Sequence, residues 1–239
     1  MLNTNSMRSS DFLSGAFPAE YGNAIGAAFD LKLKNGNPDK FEFLGQIGFN
    51  GFEGGIEGPL AIGKKSSFIT NYRYSTLGVF SALGVDFGTG TAVPQYQDLT
   101  FKINLPTEKA GRFSLWGLGG VSDILFEATP GEDNLYSEND ENLRSSAKTG
   151  IIGLSHVYFF NENTSSNLTL SYSATESNNV VDQILNENSD VFDRVFSSKN
   201  YQGKLGINWT LNKKLNAKNR IKTGTVSYTH LTLPTILLV

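Results

Sequence analysis

Asp98-Leu99-Thr100-Phe101-Lys102-Ile103-Asn104-Leu105 alternates polar and apolar side chains without a break. In an extended chain successive side chains point to opposite faces. Leu99, Phe101, Ile103 and Leu105 therefore form one apolar face, and Asp98, Thr100, Lys102 and Asn104 form a polar one. A helix would scatter the same residues around its circumference, so the octet reads as a β-strand with two unlike sides.

Working outward, the pattern recurs. Phe41, Phe43, Ile47 and Phe49 oppose Glu42, Gln46 and Asn50. Phe68, Tyr72 and Tyr74 oppose Asn71, Arg73 and Ser75. Leu168, Leu170 and Tyr172 oppose Thr169, Ser171 and Ser173. Tyr201, Leu205, Ile207, Trp209 and Leu211 oppose Gln202, Lys204, Asn208 and Thr210. Two segments are less regular: Ile151 and Ile152 are adjacent, and Trp116 falls on the face opposite Phe113, Leu115 and Val121. The alternating stretches predict strands of about 9–12 residues, the length of a tilted membrane strand. Connections alternate in length: short at 61–65, 106–111, 161–165 and 212–219, long at 79–94, 122–144 and 176–196. The first hairpin departs from this, because Gly51 leaves almost no loop before residues 52–60. A soluble β-sandwich also hides one face of each strand, and on pattern alone it reads equally well.

Composition narrows the field. The chain of 239 residues carries 20 Lys+Arg against 23 Asp+Glu, a net charge of −3, which gives no basic surface for nucleic acid. It has no cysteine, which excludes disulfides, zinc-thiolate sites and a cysteine nucleophile. Gly is 25 of 239 residues and aromatics are 12%, while hydrophobic residues are only 39%. That balance fits a turn-rich antiparallel β protein, including a membrane barrel with a polar lumen. No stretch reaches the 18 or so apolar residues of a membrane helix. The N-terminus does not read as a secretory signal, which fits either a cytoplasmic protein or a chain whose true start lies upstream, with Met1 an internal methionine.

Residues 14–37, SGAFPAEYGNAIGAAFDLKLKNGN, carry a more specific signal. Pro18-Ala19-Glu20-Tyr21-Gly22-Asn23 precedes the small-residue run Gly26-Ala27-Ala28, then a strand at 29–34, then Asn35-Gly36-Asn37-Pro38. Gly22-Asn23 favours a turn, since both tolerate positive φ. Asp30, Lys32 and Lys34 alternate with Phe29, Leu31 and Leu33, giving this strand one wet face. The stretch resembles the end of the plug domain in TonB-dependent outer-membrane receptors, most of all members from Bacteroidota. Glu57-Gly58-Pro59-Leu60 is similar to the end of that family's second barrel strand.

The resemblance implies an all-β chain: a partial antiparallel up-and-down transmembrane β-barrel of about nine strands, preceded by the C-terminal end of a plug domain. Residues 1–39 would be the plug end and 40–225 the N-terminal part of the barrel. Residues 226–239, VSYTHLTLPTILLV, resemble translated sequencing-adapter read-through and are set apart as a probable non-native tail, because they neither continue the alternation nor read as a turn, and Pro234 would interrupt a ladder. The implied function is energy-driven import of a scarce ligand (siderophore, oligosaccharide, cobalamin or peptide) across the outer membrane of a Gram-negative bacterium. The implied partners are outer-membrane lipid, the TonB complex acting through a region upstream of these residues, a small-molecule or glycan ligand, and a surface lipoprotein. A plugless porin or adhesin and a soluble carbohydrate-binding β-sandwich are the alternatives.

No enzyme is expected, and no cofactor. His156 is the one histidine outside the suspect tail and reads as an ordinary strand residue, so no Ser–His–Asp set or histidine metal site can be assembled. The acidic run Glu132, Asp133, Glu138, Asp140 and Glu141 has oxygen ligands for Ca²⁺ but not EF-hand spacing, and reads as a solvated loop. Phe41, Tyr72, Tyr74, Phe101, Tyr158, Tyr201 and Trp209 are candidates for interfacial girdles. If the membrane reading holds, Leu99, Phe101, Ile103, Leu205, Ile207 and Trp209 face lipid, and Asp98, Lys102, Lys204 and Asn208 face the lumen.

Overall fold

A computed structural model gives the fold. It describes residues 3–15, 18, 21, 26–48, 51–75, 77, 94–128, 141–184 and 192–237, the stretch 233–237 for its backbone alone. After a 3-10 turn at Thr4–Ser6, strands β1 (Met7–Ser14) and β2 (Ala27–Leu33) pair with each other as a separate antiparallel hairpin. Nine further strands follow: β3 (Glu42–Gly48), β4 (Gly51–Pro59), β5 (Ser67–Tyr74), β6 (Gln95–Pro106), β7 (Arg112–Phe126), β8 (Glu141–Asn161), β9 (Thr164–Ile184), β10 (Phe192–Lys214) and β11 (Arg220–Leu237). They form one antiparallel sheet in strict chain order, with β3 and β11 as its two edges, so the sheet is not closed on itself. Among the described residues no helix is long and apolar enough to cross a membrane.

The four tight connections of the sequence reading all lie at one end of the sheet, at 60–66, 107–111, 162–163 and 215–219. The longer ones, and the two-residue break at 49–50, lie at the other end.

Pairing register joins the alternating faces of neighbouring strands into continuous rows. Phe101 stands beside Gly117, then come Ile152, Tyr172 and Leu205. The next row runs Phe68, Ile103, Leu115, Leu154, Leu170 and Ile207. On the reverse face Asn71, Thr100 and Leu118 make one row, and Asn104, Ser114 and Ser155 another.

Burial is inverted relative to a water-soluble fold. Among the described residues, Ile69 and Leu77 are the buried hydrophobic ones, whereas Glu53, Ser67, Asn71, Asp98, Thr100, Asn104 and Ser114 are buried polar ones. Phe43 and Ile47 are 78% and 91% exposed, and Leu99, Leu154, Leu170, Leu205, Ile207 and Trp209 are exposed on the same side. On β10 the exposed apolar face runs from Tyr201 to Leu211 and is bracketed by Lys199 and Lys213.

The two irregular segments resolve locally. Trp116 does face the polar side, where its ring lies over Gly153 of β8 and its indole N–H donates to Ser155 Oγ at 3.0 Å. Only glycine leaves room for that ring, since a Cβ at 153 would overlap it. Ile152 joins the exposed face and its neighbour Ile151 the polar one. Of the girdle candidates, Tyr72, Tyr74 and Tyr201 lie toward the long-loop end of the exposed face, where Tyr172 joins them, and Tyr158 and Trp209 toward the tight-turn end. Phe101 lies between the two groups, half-buried against Gly117.

One expectation needs correction. Strands β8, β9 and β10 run 21, 21 and 23 residues, about twice the expected length. The apolar alternation stops near Lys148, Glu176 and Lys199, but the main-chain ladder continues beyond it. A ladder in water needs no apolar face, and cross-strand pairs of Arg144 with Asp123 and of Arg194 with Asp182 hold the extension. The segment set apart in the sequence reading is paired over residues 226–237: β11 pairs with β10 from Lys214–Arg220 to Ser197–Leu237, with Pro234 opposite Asn200. An edge strand tolerates proline, because it has no neighbour on one side to receive the missing donor.

Replacing Gly153 by Leu tests the Trp116 seat. The added side chain displaces the indole, and the expected cost is about 1–3 kcal/mol from overpacking, read as a lower denaturant midpoint together with a shifted Trp116 fluorescence maximum.

Candidate functional site: the N-terminal segment on the polar face

The polar face of β3–β6 carries an unusual density of carboxylates and amides. Register places Glu42 beside Glu57 and Gln46 beside Glu53, while Asn71 follows on β5 and Asp98 and Lys102 on β6. In a strand these positions recur every second residue, so the same alternation that builds the apolar face concentrates polar groups here.

The N-terminal segment sits on this surface. Glu53 Oε1 accepts from Asn3 Nδ2 at 2.8 Å and from Asn5 Nδ2 at 3.0 Å, and both Asn3 and Glu53 are buried. Asn3 also caps its own 3-10 turn, its side chain accepting from the Asn5 N–H at 2.8 Å. Asn71 Nδ2 donates to Ser6 Oγ at 2.6 Å, with both residues buried. Further along, Lys102 Nζ donates to the Leu33 carbonyl at 3.1 Å, and the Asn37 N–H donates to Glu57 Oε2 at 2.9 Å. Asn37 Nδ2 reaches Glu42 Oε1 at 3.1 Å. Between them Gly36 is buried against the backbone of Phe68 and Ile69, where a Cβ would overlap the Phe68 carbonyl. These contacts reach from Asn3 to Asn37 and touch four neighbouring strands.

Beside the docked segment, Arg73 donates from Nε and Nη2 to Asp98 Oδ2 at 3.0 and 2.7 Å, and the Asp98 side chain is 2% exposed. The guanidinium also lies 5.3 Å from the Tyr96 ring centroid. The half-buried guanidinium thus sets two charge-assisted N–H bonds on one oxygen of a buried carboxylate.

Of the six residues singled out in the sequence, the two described ones, Pro18 and Tyr21, are not among those that make these contacts. Pro18 is exposed and Tyr21 half-buried, and the Tyr21 N–H closes a turn onto the Pro18 carbonyl at 3.0 Å. Burial, and then the Asp30 carboxylate, push the Tyr21 phenol above its usual range. Ala19, Glu20, Gly22 and Asn23 lie outside the described residues. On the hairpin, Lys32 bridges Asp11 and Asp30 at 3.0 Å each, and their carboxylates hold its ammonium well above the ordinary lysine range. Phe12 and Phe29 pack 4.7 Å apart, both exposed.

Glu53, Glu57 and Asn71 were missed as binding residues because a polar alternate position in a strand normally faces water. The available signal was their number: Glu42, Glu53 and Glu57 put three carboxylates on one face of two adjacent short strands. His156 is the ordinary strand residue expected, its ring stacked 4.4 Å from Phe113 and its Nε2 at 2.7 Å from the Ala110 carbonyl oxygen. Among the described residues no cluster could hold a metal ion, and Glu132, Asp133, Glu138 and Asp140 lie outside them.

Comparison with protein-family models, with curated proteins and with solved structures finds no match to this chain.

Glu53→Ala should loosen the segment. It leaves two amides without their shared acceptor, at about 1–3 kcal/mol for each buried group left unsatisfied. Amide hydrogen exchange at residues 3–9 should accelerate while β8–β10 stay protected.

Proposed function

We propose that the chain is part of a TonB-dependent outer-membrane importer, with the end of the plug at residues 1–39 seated against the first strands of the barrel wall. One observation carries this reading: a single antiparallel sheet exposes its apolar face and uses its polar face to hold the chain's own N-terminal segment. In water such a sheet is unstable, because an exposed apolar surface of this extent has no partner layer among the described residues. In a bilayer the same surface is the favourable one, and the polar face becomes the lining of a hydrated lumen.

Dimensions support the membrane setting. At about 3.3 Å per residue and a tilt of about 45°, the run from Tyr201 to Leu211 rises about 25 Å, the height of a barrel's lipid-facing band. The lysines that bracket it would lie at the two interfaces. Tyr72, Tyr74, Tyr172 and Tyr201 would form the outer girdle, and Tyr158 and Trp209 the inner one. The tight turns at 60–66, 107–111, 162–163 and 215–219 would face the periplasm, and the long strand extensions would rise outside the cell.

The docked segment favours an importer over an open pore, since Asn3, Asn5, Ser6, Leu33, Gly36 and Asn37 lie on the face that a porin leaves to water. The single-layer sheet counts against a soluble sandwich, which needs a second sheet on the apolar face. Closure would come from further strands pairing with the open edges β3 and β11, in a barrel of about 22 strands. Such a plug is moved by the TonB complex from the periplasmic side, and the ligand would enter from the long-loop side.

Expression with and without detergent tests this directly. The 239-residue chain should fold only in micelles or vesicles; a monomeric product that melts cooperatively in plain buffer would rule the membrane reading out. Within micelles, Leu205→Arg puts a charge in the lipid-facing band at a cost of about 2–4 kcal/mol. Lys204→Leu alters the lumen face and loses a cation–π contact with Tyr228, 4.0 Å from the ring centroid; the expected cost is about 0.5–1 kcal/mol. Equal losses of folded yield from the two substitutions would overturn the assigned facing.

A further inference from the structure

Toward the long-loop end of β7–β10 the two faces of the sheet part in charge. Asp123, Arg144, Lys148, Glu176 and Lys199 all stand on the side of the exposed apolar rows. On the polar side, Thr149, Thr175 and Gln202 lie in one cross-strand row. Ser177 and Asn200 lie in the next, and Ser145, Asn179 and Ser198 in the one beyond. Among the described residues, no position of these three rows on β7–β10 carries a charge. A wet strand face accepts Lys, Glu and Arg as readily as Ser or Asn, so the sorting is a property of this face. Its polar groups also engage one another: Ser145 Oγ donates to Asn179 Oδ1 at 2.7 Å, and Asn200 Nδ2 to Ser198 Oγ at 3.3 Å.

The wall is indented where β6 meets β7 and β8. Gly120 and Ala147 give the indentation its floor, Ser122 and Thr149 bring hydroxyls to it, and Tyr96 and Asp98 bound it on the β6 side. The cavity measures about 140 Å³, the room that about five waters take in the liquid. Arg73 lies against the Tyr96 ring and bonds to Asp98, so both walls are held in place and the ion pair adds no net charge. The contacts of the docked segment, on Glu57, Glu53, Asn71 and Lys102, fall on other positions of β4–β6.

We propose that the imported ligand is a neutral oligosaccharide, with one sugar ring in the cavity against Tyr96 and the following units laid across β8–β10. This rests on the importer reading and names its substrate class. Three features select the occupant. The first is charge: a ferric chelate or a phosphorylated ligand is an anion, and these rows offer it no free cation. Hydroxyls and amides instead answer a ligand whose own hydroxyls both donate and accept. The second is size, since the cavity admits a single six-membered ring and refuses a corrin. The Tyr96 ring gives the C–H side of such a sugar an apolar surface to rest on. The third is spacing. Neighbouring strands lie about 4.8 Å apart, roughly the length of one sugar unit, so a glycan crossing the strands meets the same chemistry at each step.

The test uses the full chain folded in lauryldimethylamine oxide, a detergent without a sugar headgroup, and isothermal titration calorimetry. The probes are cellohexaose, maltohexaose, xylohexaose and mannohexaose, with ferric citrate and cyanocobalamin as comparators. At least one hexasaccharide should bind with a Kd below about 1 mM, and neither comparator should. Ala147→Leu fills the cavity without removing a hydrogen-bonding group and should weaken that binding about tenfold or more. Tyr96→Ala removes the stacking surface and should weaken it likewise; where Ala147→Leu fails to fold, this variant decides. Lys148→Gln, on the opposite face, should leave the affinity unchanged. A folded chain that binds none of the four glycans, or binds a comparator in their place, overturns the ligand class and leaves the importer reading standing. Unchanged affinity in either folded cavity variant does the same. A chain that never folds in micelles overturns the importer reading, and the site with it.

Discussion

Main-chain hydrogen bonding within one layer is the constraint on which the structure depends. Every strand from β4 to β10 satisfies its backbone sideways, through its two neighbours, and asks nothing of the faces above and below. The side chains are then free to be sorted by environment, and the sorting here is extreme: Phe43 and Ile47 stand open on one side while Asn71 and Asp98 are buried on the other. Burying a large apolar side chain is worth about 1.5–3 kcal/mol, so each one left in water forgoes that amount. Nothing on the polar face replaces it, since a neutral hydrogen bond nets only about 0.5–1.5 kcal/mol. A single layer sorted this way is stable only where the surroundings of its apolar face are themselves apolar.

The same sorting determines how the N-terminal segment can be held. With few apolar groups on the polar face to bury against, it is fixed mainly by separate polar contacts: Asn3 and Asn5 on Glu53, Ser6 under Asn71, the Leu33 carbonyl on Lys102, Asn37 on Glu57. Each is modest, and each can be exchanged for water at small net cost once the surface is wet. A segment anchored in this manner is well placed and still separable from the wall, whereas one held by an apolar interface of the same length would not be. The close backbone approach at Gly36 serves placement as well, since it sets the height at which the chain passes from the docked segment into β3.

What the sequence made legible follows from what a period of two can report. Leu99 through Asn104, and Leu205 through Asn208, could be assigned to faces residue by residue, because one unlike pair fixes the phase of a whole strand. The tight turns were visible for a related reason: the alternation stops and polar or turn-forming residues follow. Trp116 resisted because its fit depends on Gly153, distant in sequence and adjacent only after β7 and β8 pair. Strand β1 carried no signal, since Arg8, Ser9, Ser10 and Asp11 show no apolar phase, and only its partner β2 gives it a place. The extensions of β8–β10 beyond the charged row were hidden because a strand in water on both sides needs no pattern at all. The docking residues belonged to the second class of difficulty: Glu53 is an unremarkable wet-face carboxylate until Asn3, fifty residues away, reaches it.

The last strand shows where the two kinds of information part. A backbone ladder is nearly indifferent to sequence, and β11 pairs with β10 along its whole length. The face test is specific. Continuing the exposed rows from Trp209, Ile207 and Leu205 onto β11 leads to Thr225, Ser227 and Thr229, while Val226 and Tyr228 fall on the polar side. All eight preceding strands of the sheet keep large apolar groups on the exposed rows at this level, and β11 does not. A shift of one residue would restore Val226 and Tyr228 to the apolar side, but would have to break the register that begins at Lys214 and Arg220. The pairing therefore gives the segment a position without giving it the character of the wall. That mismatch runs through Thr225, Ser227 and Thr229, so β11 continues the ladder of the sheet without continuing its apolar face.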